Sequence, residues 1–154
     1  MSIHCLNSSF ETAREWMRDL MTTLDTGDDA FAYRALKATL HELRDHLTIE
    51  EAAHFSAQLP VLFRGVFYDG WRPAGTPSKD RSVGGFLEKI GASLRECQDL
   101  VEVENVVHGV LELLNSKISH GEIKDVVGSL PKEIRQLWPS ANTARSGAKA
   151  RLSY

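Results

Sequence analysis

Six histidines and two cysteines are the residues of this 154-residue chain best suited to hold a metal or carry redox chemistry. His41 and Asp45 stand one helical turn apart, and His46, Glu50 and His54 recur at intervals of four. Such spacing stacks ligands on one helix face. The second series is interrupted, however, because Thr48 and Glu51 read as the capping box of a new helix. No HExxH string and no Cys/His cluster is present. His108 lies beside Val107 and Leu111 in an apolar helical pattern, and no other haem-type feature accompanies it. Cys5 and Cys97 form no CxxC pair and read as free thiols of a reducing compartment. The expectation is a chain with no metal and no cofactor.

Catalytic patterns are equally absent. There is no Ser-His-Asp order, no nucleophile elbow and no glycine-rich phosphate loop. Acids are plentiful, but none stands in an apolar string that would raise its pKa. No catalytic residue is assigned. Two other groups invite a binding role. Arg64 and Arg135 each follow an equivalent proline by four residues, and two such guanidiniums suit a planar anion. The competing reading ties each arginine to an acid of its own copy, with Glu51, Glu122 and Asp125 as candidates. Tyr68, Asp69 and Trp71 place a phenol, a carboxylate and an indole beside a turn, which suits a partner-binding patch. Alternatively, Trp71 folds back over the end of a helix bundle.

The elements that must position these groups are written twice. Residues 47–67 (LTIEEAAHFSAQLPVLFRGVF) align with residues 118–138 (ISHGEIKDVVGSLPKEIRQLW). A constant offset puts Leu59-Pro60 on Leu130-Pro131, Arg64 on Arg135, Glu51 on Glu122 and Phe67 on Trp138. Upstream, Trp16, Met17, Leu20 and Leu24 match Phe86, Leu87, Ile90 and Leu94. Ala32, Leu36, Leu40 and Leu43 match Val103, Val107, Leu111 and Leu114. Repetition of this kind points to a duplicated helical unit.

Each copy reads as four helices. In the first, Ser8 and Glu11 form a capping box before an apolar stripe of Phe10, Ala13, Trp16, Met17, Leu20 and Leu24. A long helix over about 29–46 follows, then a short one opened by Thr48 and Glu51, then one begun by Pro60. Ser119 and Glu122 repeat the Thr48/Glu51 box. The spacing therefore predicts an all-α bundle of about eight helices built from an internal duplication. Residues 1–9 read as an arm and 10–139 as one helical domain. Within it, about 10–68 and 80–139 are the repeats, and 69–79 is a polar, mobile linker with Gly70, Pro73 and Pro77. Residues 140–154 read as a flexible basic tail. One shared core is favoured over two separate bundles, since units this small bury little alone.

Composition limits the function further. Hydrophobic content is 42% and charged content 25%, ordinary for a soluble globular chain. Net charge is −3, yet Arg145, Lys149 and Arg151 lie in a tail with no acid. The body is thus acidic, which argues against nucleic acid. Apolar runs are too short to span a membrane. The first residues lack the basic and apolar regions of a signal peptide, so a cytoplasmic protein is expected.

The strings QLPxLxRGxFYDGW (Gln58 to Trp71) and GEIxDVxxxLPxEIRxLWP (Gly121 to Pro139) resemble the family called domain of unknown function 2267. The likeness covers about residues 12–139. It implies a small, all-helical protein of bacterial or cyanobacterial type and implies no activity. The reading favoured by the sequence is a non-enzymatic helical module that binds another protein or itself. The alternative is a small anion-binding protein using Arg64 and Arg135. An enzyme stands third.

Overall fold

Strong N-caps and apolar stripes set the helices of this chain. The computed structural model describes residues 3–140. In order these are α1 (His4–Thr23), α2 (Asp29–Asp45), α3 (Ile49–Ser56), α4 (Val61–Tyr68), α5 (Val83–Gly91), α6 (Leu100–Lys117), α7 (His120–Ser129) and α8 (Lys132–Arg135). A 3-10 turn, Pro73–Gly75, lies between α4 and α5. No strand occurs among the described residues, so the fold is an all-α bundle. The basic tail, apart from Ser140, and the first two residues lie outside the described residues.

Each cap has a local cause. Asp28, Ser82 and Asp99 accept the backbone N–H of Phe31, Gly85 and Glu102, opening α2, α5 and α6. Thr48 opens α3 with a complete capping box: Glu51 N–H donates to its hydroxyl, and its own N–H donates to the Glu51 carboxylate. Pro60 and Pro131 cap α4 and α8, where a missing N–H loses nothing. Ser119 departs from expectation. It begins α7 without a side-chain cap bond, and the Glu122 carboxylate, instead of closing a box, meets His54.

The start of α1 is a second departure. Ser8 is not a cap but an interior residue whose carbonyl accepts the Thr12 hydroxyl. The helix runs back to His4, so most of the expected arm is helical. Extending an existing helix costs far less than starting one. Phe10, expected in the core, is 54% exposed, since α1 projects past its neighbours here.

α2 and α6 lie at the centre, although α1 is longer than either. Ala32, Ala35, Leu36, Leu40 and Leu43 of α2 are buried, as are Val103, Val107, Val110, Leu111 and Leu114 of α6. Buried residues from all eight helices form one cluster. Packing respects the repeat. α1 touches α2 and α6 while α5 touches α6 and α2; α1 touches α4 while α5 touches α8. α2 meets α6, and α3 meets α7, each pair being equivalent across the two halves. Exchanging α1–α4 with α5–α8 maps these contacts onto one another, but the packing of α4 on α2 has no counterpart of similar extent between α8 and α6.

The linker is tied down at several points. Ser78 N–H donates to the Asp45 carbonyl at 2.7 Å. The ring nitrogens of His46 face the carbonyls of Glu42 (2.8 Å) and Asp80 (2.9 Å), and its ring meets Phe86 edge-on. His46 is thus a buried brace between α2 and the start of the second half.

Candidate functional site

The repeated arginines hold helix ends. Arg64 donates from Nε to the Ser56 carbonyl (3.1 Å) and from a terminal nitrogen to the Leu59 carbonyl (3.0 Å). Arg135 donates to the carbonyls of Gly128 (3.2 Å) and Leu130 (3.1 Å). Leu59 and Leu130 are equivalent positions. Each guanidinium therefore satisfies the orphan carbonyls at the end of the preceding helix in its own half, where positive charge also suits the helix dipole. The partners are carbonyls rather than the acids considered from sequence. Among the described residues, each arginine's hydrogen bonds stay within its own half.

The 68–71 corner is drawn into the fold by the same logic. The Tyr68 hydroxyl shares a hydrogen bond with Ser56 Oγ, and its ring lies against Phe67 and Trp71. Trp71 is half-buried against the core; its Nε1 is buried and makes no hydrogen bond among the described residues. The Asp69 carboxylate meets Lys37 at 3.1 Å. Beneath them, buried Arg44 donates to the carbonyls of Phe67 (2.8 Å) and Asp69 (2.9 Å) while its Nε holds the Asp45 carboxylate. Asn115 occupies the equivalent place in α6. It accepts from Trp138 Nε1 (2.7 Å) and donates to the Pro139 carbonyl (2.8 Å). Both residues clamp the chain leaving the last helix of their half to the long central helix. Their side chains differ in type, so the sequence alignment gave no sign of the shared role.

The histidines separate. His41 Nε2 donates to the Val66 carbonyl at 2.7 Å, and burial pushes its pKa down. His108 faces Glu104 on its own helix. His54 reaches a carboxylate of the other half of the molecule: its Nε2 lies 2.8 Å from Glu122 Oε2. Asp125 stands beside them, and the donor atoms of the three fall within 4.8 Å of one another. His54 and Glu122 are 68 residues apart, so no spacing motif could reveal the set. The available signal was the repeat itself: Asp125 is the counterpart of His54, and Glu122 that of Glu51.

Two further surfaces have the shape of binding sites. A groove of about 530 Å³ runs between α1 and α2. Ala13, Met17, Met21 and Ala30 line it, Phe10 and Tyr33 are exposed at it, and Arg14 and Arg18 stand among them. Arg14 lies over the Phe10 ring and pairs with Glu11 at 3.6 Å. Leu6, which is 63% exposed, and Ile3 continue the apolar stripe toward the start of α1. A smaller cleft of about 230 Å³ opens beside the linker, lined by Arg44, Asp45, Arg72, Thr76, Ser78 and Lys89 among others. The side chains of Arg72 and Lys89 make no hydrogen bond or close ion pair among the described residues, and Lys89 acts at longer range on Glu42 and Asp80.

None of these surfaces shows a nucleophile and base in contact. No helix among the described residues is long and apolar enough to cross a membrane. No curated protein matches the chain. The model of one family, described as "Uncharacterized conserved protein (DUF2267)", matches residues 13–137, and the chain belongs to that family.

Proposed function

We propose that the protein is a non-enzymatic helical interaction module whose docking surface is the exposed face of α1, and that its occupant is a second copy of the chain. The observation behind this reading is the division of one helix face into two unlike halves. Ile3, Leu6 and Phe10 project in the first half, while Met17 and Met21 line a groove in the second. Antiparallel pairing of two α1 helices sets Phe10 against Met17 and Leu6 against Met21. That arrangement is self-complementary, as a two-fold interface requires. Methionine floors adapt to an inserted ring. Glu11 and Arg14 bring one acid and one base from each copy close to the axis, so opposite charges can face one another. Against this, the geometry of Tyr68, Asp69 and Trp71 supports a structural role, and the docking surface moves from that corner to α1.

Sedimentation equilibrium tests the reading. The wild-type chain should form a dimer, and Leu6→Glu or Phe10→Glu should give a folded monomer, since both side chains are exposed in one copy. A wild-type chain that stays monomeric at high concentration overturns it.

A second reading has its own observation. Arg44, Arg72 and Lys89 bring three cations to a cleft that holds one acid, Asp45, and the Thr76 and Ser78 side chains, which suits a phosphate-sized anion. The anion-binding alternative is thereby better served by this cleft than by Arg64 and Arg135. Inorganic phosphate and pyrophosphate should raise the melting temperature of the wild type and leave an Arg72→Ala/Lys89→Ala variant unmoved. Equal behaviour of the two proteins rejects it.

A further inference from the structure

We infer that His54, Glu122 and Asp125 form a binding site for a divalent transition-metal ion, zinc above all, at the seam where α3 meets α7. The ligand set spans the two halves of the molecule. His54 offers Nε2, and Glu122 and Asp125 offer one carboxylate oxygen each, all within 4.8 Å of one another. A tetrahedral zinc ion with bonds of about 2.0–2.1 Å holds its ligand atoms about 3.3 Å apart. The 2.8 Å contact of His54 with Glu122 lies slightly inside that value, and Asp125 is within 4.8 Å of both, near enough to join them by a side-chain rotation. Asp125 is exposed, and its carboxylate makes no hydrogen bond or ion pair with residues outside this group among those described.

Donor chemistry selects the ion. One imidazole with two carboxylates suits zinc and its first-row neighbours, whereas calcium and magnesium prefer all-oxygen sites. Three protein ligands leave a fourth position for water. The surroundings favour a cation as well. Glu50, Glu51 and Ser129 line the adjoining cleft of about 240 Å³ with Leu47 and Val126, and no lysine or arginine lines it.

The repeat shows what distinguishes this place from its counterpart. Glu51 reaches back to the Thr48 N–H and completes a capping box. Glu122, at the matching position, leaves Ser119 without that box and crosses the seam to His54. Asp125 meanwhile stands where the first half has His54. Two equivalent positions thus carry an imidazole and a carboxylate, facing one another across the seam. Together with the crossing Glu122 they make a three-ligand site that neither half has alone.

The test uses the whole chain. Zinc affinity is measured by competition with a chromogenic chelator, and cobalt is used to record the visible spectrum of the bound ion. The wild type should bind one zinc ion, and zinc should raise its melting temperature by joining the two halves. His54→Gln, Glu122→Gln and Asp125→Asn should each weaken binding by about tenfold or more. Asp125→Asn is the informative variant, because it removes no bond of the metal-free protein. Its melting temperature without zinc should equal that of the wild type, while the zinc-induced rise should vanish. A Cys5→Ser/Cys97→Ser variant should bind as the wild type does. The inference is overturned by a wild type that does not bind zinc, by affinity unchanged in His54→Gln and Asp125→Asn, or by affinity lost with the cysteines.

Discussion

Glu51 and Glu122 hold equivalent positions and make different bonds. Glu51 closes a capping box on Thr48, and Glu122 bonds across the molecule to His54. The difference sets an unequal mutational response. Thr48→Ala removes an N-cap that accepts the Glu51 N–H and should cost about 1 kcal/mol. Ser119→Ala removes no cap bond and should stay within about 0.5 kcal/mol of the wild type. Urea denaturation of both variants measures this, and equal losses would mean that Ser119 caps α7 after all.

Leu40 and Leu111 are the matched centre of the core, both almost fully buried on the two long helices. Truncation of either to alanine leaves a cavity between helices that pack against each other, so each should cost about 2–5 kcal/mol. The wild type should unfold in one transition, because buried residues from both halves belong to one cluster. Separate melting of the halves by calorimetry would replace the shared core with two small domains.

The helices and the centre of their core were legible in the sequence because apolar spacing and repetition both report burial. Leu40 and Leu111 were identified by that route, as was the Thr48/Glu51 box. The Ser119/Glu122 box had the same letters and did not form: the Glu122 carboxylate has a tertiary partner, His54, and Ser119 accepts no backbone N–H. Phe10 failed for a related reason. Its spacing continues the stripe of α1, but periodicity cannot tell where the neighbouring helices stop covering it. Arg64 and Arg135 were recognised as a repeated pair, while their carbonyl partners depend on how each short helix turns back. The His54, Glu122 and Asp125 group needed the docking of α3 on α7, which no local pattern encodes.

Acid titration should separate two carboxyl groups with opposite environments. Glu96 accepts both terminal nitrogens of Arg34, which also donates to the Ser93 carbonyl, and this pair holds its pKa down at about 2. Such a group favours the folded state above its ordinary value of 4.5, and the benefit is lost as pH falls toward about 2. Glu42 runs the other way. Burial raises its pKa, and one carboxylate oxygen has no hydrogen-bond partner among the described residues. Its contribution is therefore complete at low pH and is lost as pH rises through the raised value. In carboxyl-carbon NMR, the Glu96 midpoint should lie near 2 and move up in Arg34→Gln. Glu42→Gln should flatten the loss of stability on the neutral side, and an unchanged slope would assign that loss elsewhere.

Trp71 decides whether the 68–71 corner is a patch or a brace. Its ring lies 5.3 Å from that of Tyr68, and Tyr68 is fixed by Ser56 on one side and Phe67 on the other. A central indole in an interface can contribute 2 kcal/mol or more to binding while leaving the fold intact. An indole that braces a bundle end shows the reverse. The contacts with Tyr68 and the core favour the brace, so Trp71→Ala should lower stability by about 3 kcal/mol, the lower end for a large aromatic side chain. Dimerisation should persist in the folded fraction, because the proposed interface lies on α1. Denaturation and sedimentation on the same variant give both numbers. A dimer lost with stability intact would return the interface to Trp71, and would also displace Leu6 and Phe10 from that role.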